Sequence, residues 1–157
     1  MRDQLIKSIP EPTVRGAEES FMSVQKDKRE EGKLALSMLA RNHAVYVIQI
    51  TKNPKVFKPE HSEFTAGLVK RSTDIFHCIW GANNVLVNSR QTYEIRRKYQ
   101  EMAATNCNIL LADLAIARKL FHLSSKRMRY WTGTIVEIRN KTRAWTNSDA
   151  KRYSQYL

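Results

Sequence analysis

The chain has 157 residues, with 27 Lys or Arg against 15 Asp or Glu, and its formal net charge is +12. Hydrophobic residues make up 42% and glycines number five, which excludes a disordered chain and a glycine-turn β protein. Cys78 and Cys107 have no paired spacing, and no run of about 18 apolar residues occurs. We therefore expect one cytoplasmic domain with reduced thiols and no membrane contact.

The N-terminal part predicts an arm followed by a first helix. Residues 1–22 contain Pro10, Pro12 and Gly16 and have little periodicity, which is typical of a flexible arm or of a peptide that orders on a partner. Helix one is predicted to start within 23–33 and to end near 51–53, because Asn53 precedes a proline. On its apolar seam, His43 is predicted to be a hydrogen-bonded core or interface residue rather than a base.

A second helix is predicted from Pro59 to about Asn88, since proline suits the first turn of a helix. Gly81 interrupts it and indicates either close packing of a neighbour or an early end of the helix. The predicted seam follows steps of three and four and consists of Phe64, Leu68, Ser72, Ile75, Ile79, Ala82 and Leu86.

The stretch from Tyr99 to Trp145 predicts two helices that pack along their length. Helix three should begin near Gln91, and helix four should end near 145–148. Their seams repeat at steps of three and four, along Ala103, Cys107, Leu110, Leu114, Ala117 and Phe121, and along Met128, Trp131, Ile135, Ile138, Thr142 and Trp145.

A second row widens the stripe of helix three and contains Tyr99, Met102, Ile109, Ile116 and Leu120. Between the two helices, Ser124 is a favourable N-cap, and so short a link predicts an αα-hairpin. We predict an all-α protein: an antiparallel up-down-up-down four-helix bundle over 23–148, with a basic-aromatic tail over 149–157.

The positive charge is concentrated late in the chain. Residues 118–157 hold ten Lys or Arg but only Glu137 and Asp149 as acids, which favours a polyanionic partner, most often nucleic acid. The alternative is a solvated basic face. The residues predicted to contact nucleic acid are Lys126, Arg127, Arg129, Arg139, Lys141 and Arg143, followed by Arg96, Arg97 and Lys98. The tail either stacks on nucleic acid or is frayed.

No motif in the sequence predicts catalysis. A phosphate-binding Gly-rich loop is absent, and the four histidines lack the spacing of metal ligands. We therefore expect no catalytic residue, no metal and no cofactor. Asn106 and Asp113 lie one heptad apart in the second row of helix three, where they either fix an assembly or mark the solvent edge. Trp80 is either an interface residue or a rim residue of the core.

From about Ala44 to Ser148 the chain resembles a known four-helix family. Phe57-Lys58-Pro59 with Phe64-Thr65-Ala66-Gly67 resembles the family's "FP…FTLG", and Ala82-Asn83 resembles its "AN". The run from Leu114 to Leu120, followed by Leu123-Ser124-Ser125-Lys126-Arg127, resembles its third helix and "ISPKRY". Glu137-Ile138 and Trp145 stand where the family has "EIGRMLGGW". The family is the accessory variability determinant of diversity-generating retroelements, which is similar to the proteins encoded by intervening sequences of ribosomal RNA genes.

This resemblance implies a non-catalytic accessory protein. Family members are homopentamers that bind the retroelement reverse transcriptase and its template RNA and support mutagenic cDNA synthesis. The chain departs from the pattern at Arg139, Arg143 and Ala144, which replace glycines of the family and make the surface more basic. We expect Trp80, Asn106 and Trp145 to lie at partner interfaces. The alternative functions are an oligomeric helical scaffold and a general RNA-binding protein without a reverse transcriptase.

Overall fold

The computed structural model describes the backbone of residues 21–157 and the side chains from Lys28 onwards. This part of the chain contains four α-helices and no strand, which confirms the all-α prediction. The helices are α1 (Phe21–Ile50), α2 (Ser62–Asn84), α3 (Arg90–Phe121) and α4 (Ser125–Arg152). Two short 3-10 helices span Pro59–His61 and Ser154–Tyr156. Within the described residues, no helix is both long and apolar enough to cross a membrane.

The chain divides into two compact units, Met1–Ala35 and Leu36–Leu157. The described part of the first unit is helical from Phe21 onwards, and its side chains from Lys28 to Gly32 are exposed. Helix α1 therefore begins before the predicted range of 23–33. The rest of the predicted arm, residues 1–20, lies outside the described residues.

The core of the second unit is built from the predicted seams. All six seam residues of α3 are buried, from Ala103 to Phe121. On α4 the four central seam positions, from Trp131 to Thr142, are fully buried, whereas Met128 and Trp145 at its ends are half-buried. Helix α3 packs against both α2 and α4. The 3–4 spacing thus correctly identified the buried faces of α3 and α4.

The connection between α3 and α4 is as short as predicted. His122 adopts the left-handed conformation at φ 51°, which ends α3. Ser124 caps α4, because its hydroxyl accepts a hydrogen bond from the backbone N–H of Arg127 at 3.1 Å. The short link between α3 and α4 therefore follows from local sequence signals.

Helix α2 ends earlier than predicted, at Asn84 rather than near Asn88. Leu86, predicted on its seam, lies in the link and is 79% exposed. The start of α3 is set by a cap that the prediction missed. Ser89 and Thr92 form a capping box, in which each side chain satisfies a backbone N–H of the other, so α3 starts at Arg90.

The close packing predicted as one reading of Gly81 is present. A Cβ atom built on Gly81 would lie 3.2 Å from the ring of Tyr99 on α3. Of the second row of α3, only Leu120 packs against the core, where it is half-buried. Tyr99, Met102, Ile109 and Ile116 are 37–54% exposed.

Helix α4 continues to Arg152, beyond its predicted end near 145–148. The extra turn is fixed by burial of Asp149, which is 3% exposed. The predicted tail is also ordered by contacts. The ring of Tyr153 lies 5.9 Å from that of Tyr93 and 6.3 Å from that of Tyr156, so the aromatic residues of the tail pack on α3 and on each other.

Candidate nucleic-acid interface

The nine cations predicted to contact nucleic acid all lie on residues 90–152, which comprise α3, α4 and the short link between them and are called the α3–α4 hairpin below. Six of them have no carboxylate partner among the described residues, and their side chains are exposed or half-buried: Lys98, Lys126, Arg127, Arg129, Arg139 and Arg143. Charges without a local counter-ion are the ones available to a polyanion.

Two of the nine cations are exposed but paired. Lys141 Nζ lies 3.0 Å from Glu137 Oε1, and Arg97 Nε lies 3.0 Å from Glu101 Oε1. Each pair joins residues four positions apart on one helix, which contributes only a few tenths of a kcal/mol. Such pairs can open, so Arg97 and Lys141 remain on the candidate surface with reduced positive charge.

Arg96 is not on the surface, and the structure corrects its assignment as a nucleic-acid contact. Its side chain is 5% exposed, and its guanidinium forms a bidentate pair with Asp149, from Nε to Oδ2 at 2.7 Å and from Nη2 to Oδ1 at 3.0 Å. Gln100 Nε2 donates to the same carboxylate at 2.8 Å. Arg96 therefore holds α3 to α4, and Asp149 neutralises its charge.

Arg139 and Arg143 lie one turn apart on the flank of α4 that faces α3. Arg139 Nη1 donates to the side-chain oxygen of Asn108 on α3 at 3.0 Å, so the neutral amide positions the guanidinium without cancelling its charge. Arg143 lines a cleft of about 410 Å³ between α3 and α4, together with Gln100, Glu101, Ala104, Thr105, Thr146 and Asn147. Both cations thus face the groove of the hairpin.

A second group of cations lies at the start of α4. The first two turns of α4 contain Lys126, Arg127 and Arg129, and the first turn holds no acidic residue. The free N–H groups of a helix N-terminus carry a partial positive charge, and cations there add to it. About 21 Å of helix axis separates Arg129 from Arg143, which is long enough to span several phosphates.

The hairpin also exposes four cations outside the nine, of which two belong to the predicted basic-aromatic tail. Arg118 and Lys119 lie in the last turn of α3, and Lys151 and Arg152 in the last turn of α4. The guanidinium of Arg152 stacks 5.0 Å from the ring centroid of Tyr153. These four residues extend the basic surface to both ends of the hairpin.

The three residues predicted at partner interfaces lie in different places. Trp80 is 51% exposed on α2, and its ring packs at a tilt against that of Phe76, with 6.0 Å between the ring centroids. Asn106 is half-buried and lines a second cleft, between α2 and α3, with Gly81, Tyr99 and Met102. Trp145 is half-buried, and its ring lies under the guanidinium of Arg96 at 5.0 Å. Of the three, Trp80 is the most accessible to a partner.

An apolar stripe on α3 follows the second row of the sequence. Ile95, Tyr99, Met102, Ile109 and Ile116 are each at least 37% exposed and recur at steps of four, three and seven. Asp113, in the same row, pairs with Arg71 of α2 at 2.9 Å. An exposed apolar stripe with heptad spacing is typical of a helix that packs against another helix.

The buried titratable side chains His43 and Cys107 lie in the packed core. Trp131 Nε1 donates to Nε2 of His43 at 3.1 Å, as predicted for a hydrogen-bonded core histidine, and burial lowers the pKa of His43 to about 4. Burial raises the pKa of Cys107 to about 12, although the charges of Arg139 and Arg143 oppose that shift. Among the side chains that the structure describes, no group of three or more His, Cys, Asp or Glu could hold a metal ion.

Comparison with known proteins gave no match to this chain, whether against family models, curated proteins or solved structures.

Proposed function

We propose that this protein is a non-catalytic accessory subunit that binds RNA through the α3–α4 hairpin. One observation carries the proposal: six cations of the hairpin have no carboxylate partner among the described residues, and two of them, Arg139 and Arg143, face the groove between the helices. Lys and Arg neutralise phosphates, so binding should depend on salt more than on base identity.

The resemblance extends this proposal to a biological setting. The partners would be a retroelement reverse transcriptase and its template RNA, and the role would be support of mutagenic cDNA synthesis in the cytoplasm. The helices would run in antiparallel up-down-up-down order. The short link at Ser124 and the contact between Trp131 of α4 and His43 of α1 support that order.

The charge-reversal variant Arg139→Glu/Arg143→Glu tests the RNA surface. We expect it to abolish RNA binding in fluorescence anisotropy at low salt while thermal melting stays cooperative. The control is Lys55→Glu/Lys58→Glu, which changes the net charge equally at two exposed positions outside the hairpin. Equal loss of binding in both variants would mean that total charge, rather than this surface, attracts RNA.

A salt titration supplies an independent check. The logarithm of the affinity for single-stranded RNA should fall linearly with the logarithm of salt concentration, by about 0.7 per phosphate contacted. Wild-type protein that binds no RNA at low salt would contradict the proposal. Addition of the protein to a retroelement reverse transcriptase and its template should raise the cDNA yield. An unchanged yield would exclude the reverse transcriptase as a partner.

The apolar stripe of α3 favours a second candidate, an oligomeric helical scaffold. Ile109 and Ile116 are 40% and 54% exposed, and water-exposed isoleucines at heptad spacing gain free energy when copies pack together. Light scattering should give a mass larger than one chain, and five copies is the number that the resemblance implies. Ile109→Glu/Ile116→Glu should lower the mass, whereas Ala112→Glu/Ala115→Glu, on exposed positions of the same helix, should not.

A further inference from the structure

The cleft beside Arg143 has the size of a ligand site. Its volume is about 410 Å³, within the range of roughly 300–1,000 Å³ that is usual for small-molecule pockets. Ala104 lines it between Gln100 and Thr105, and the small side chain leaves room between α3 and α4. A flat phosphate-binding surface would need no such cleft.

Six of the seven residues that line the cleft have polar or charged side chains. Gln100 is 1% exposed, and its amide nitrogen donates to Asp149, which Arg96 holds in turn, so the carboxamide has a fixed orientation. Thr105 and Asn147 line the cleft and make no side-chain hydrogen bond with another described residue. Such amides and hydroxyls match the donors and acceptors on the edges of nucleobases.

The charged groups of the cleft suit a nucleotide rather than a simple anion. Arg143 has no ion-pair partner among the described residues and can contact a phosphate or stack its planar guanidinium on a base. The carboxylate of Glu101 also lines the cleft, where it would repel a bare phosphate. Its charge is offset by Arg97 at 3.0 Å, and it can accept a hydrogen bond from an exocyclic amino group.

We propose that this cleft binds one unpaired nucleotide of single-stranded RNA, with the base between α3 and α4 and the adjacent backbone on Arg139 and Arg143. The inference rests on the proposed RNA-binding function and adds a preference for unpaired RNA. A paired, stacked base cannot enter a cleft between two helices, so duplex RNA contacts only the outer cations.

The variant Ala104→Leu tests the inference, because it fills the cleft without changing any charge. The probes are a single-stranded RNA of mixed sequence and a duplex of the same length, followed by fluorescence anisotropy. We expect about tenfold weaker binding of the single strand, as for the loss of one stacked base, and an unchanged affinity for the duplex. Ala112→Leu, at an exposed position of the same helix outside the cleft, is the matched control.

Thr105→Ala/Asn147→Ala removes hydrogen-bonding groups without adding bulk, so it keeps the test valid if Ala104→Leu destabilises the hairpin. It should also weaken binding of the single-stranded RNA and leave the affinity for the duplex unchanged. Unchanged single-strand binding in the cleft variants, together with loss of binding in Arg139→Glu/Arg143→Glu, would overturn the cleft site and leave the RNA-binding function intact. Equal affinity of the wild type for both RNAs would also overturn it. Absence of binding to either RNA would overturn both proposals.

Discussion

Arg96 and Asp149 form a buried bidentate ion pair that joins the second turn of α3 to the last turn of α4 across 53 positions of sequence. The rings of Trp145 and Tyr153 lie 5.0 and 5.7 Å from the guanidinium, so cation–π contacts add to the charge pairing. This network explains why α4 extends past its predicted end and why the residues after it are ordered.

Removal of one member of this pair should destabilise the protein strongly. Asp149→Asn leaves the guanidinium of Arg96 buried without its counter-charge, and we expect a loss of about 3–5 kcal/mol in the free energy of unfolding. Urea denaturation measures it. Arg90→Gln, which breaks the exposed pair with Glu94, should change stability by less than about 1 kcal/mol. Similar losses in both variants would mean that burial adds nothing to the Arg96 pair.

The stability of the protein should fall on mild acidification because of His43. Its pKa is lowered to about 4 by burial, whereas an unfolded histidine titrates near 6.5. The unfolded state therefore binds the proton first, so the stabilisation is complete above pH 6.5 and is lost as the pH falls towards 4. The expected loss over that window is about 3 kcal/mol.

His43→Gln separates this effect from the titration of carboxylates. Glutamine retains a possible acceptor for Trp131 Nε1 but does not titrate, so its stability should change less between pH 6.5 and 4 than that of the wild type. The exposed His77→Gln should keep the wild-type profile. Identical profiles for His43→Gln and wild type would show that another group controls the acid response.

The two internal glycines of α2 should respond differently to alanine. A methyl group on Gly67 would have no neighbouring atom within 4 Å, so Gly67→Ala should stabilise the protein by about 1 kcal/mol through helix propensity. At Gly81 the methyl group would meet the Tyr99 ring at 3.2 Å, so Gly81→Ala should stabilise less. Thermal melting measures both. In a Tyr99→Ala background the gain at Gly81 should approach that at Gly67, and persistence of the difference would exclude the ring as its cause.

Neither cysteine should react with a thiol reagent in the native protein. Cys107 is fully buried with a pKa of about 12, and burial and the nearby charge of Asp74 raise the pKa of Cys78. The thiolate is the reactive form, so labelling at pH 8 should be slow until denaturant is added. Rapid labelling of Cys107 without denaturant would indicate that α3 and α4 separate readily.

The candidate surface was predictable only in part. The excess of Lys and Arg over Asp and Glu from residue 118 onwards is visible in the sequence itself, and it identified the hairpin. Pairing could not be predicted in the same way. Arg96 and Arg97 are adjacent and alike in type, yet one is buried against Asp149 and the other is 40% exposed at its side chain. The cleft at Ala104 also requires two helices to be placed side by side.

The sequence by itself determined the all-helical class, the buried seams of α3 and α4 and the short link between them, because these depend on 3–4 spacing and on a serine cap that acts locally. The tertiary structure decided which further residues are buried. Most of the second row of α3 stays exposed because α2 and α4 contact other residues of that helix, and Asp149 is buried because it meets Arg96 from another helix. Such contacts join residues far apart in sequence, and spacing along one helix carries no information about them.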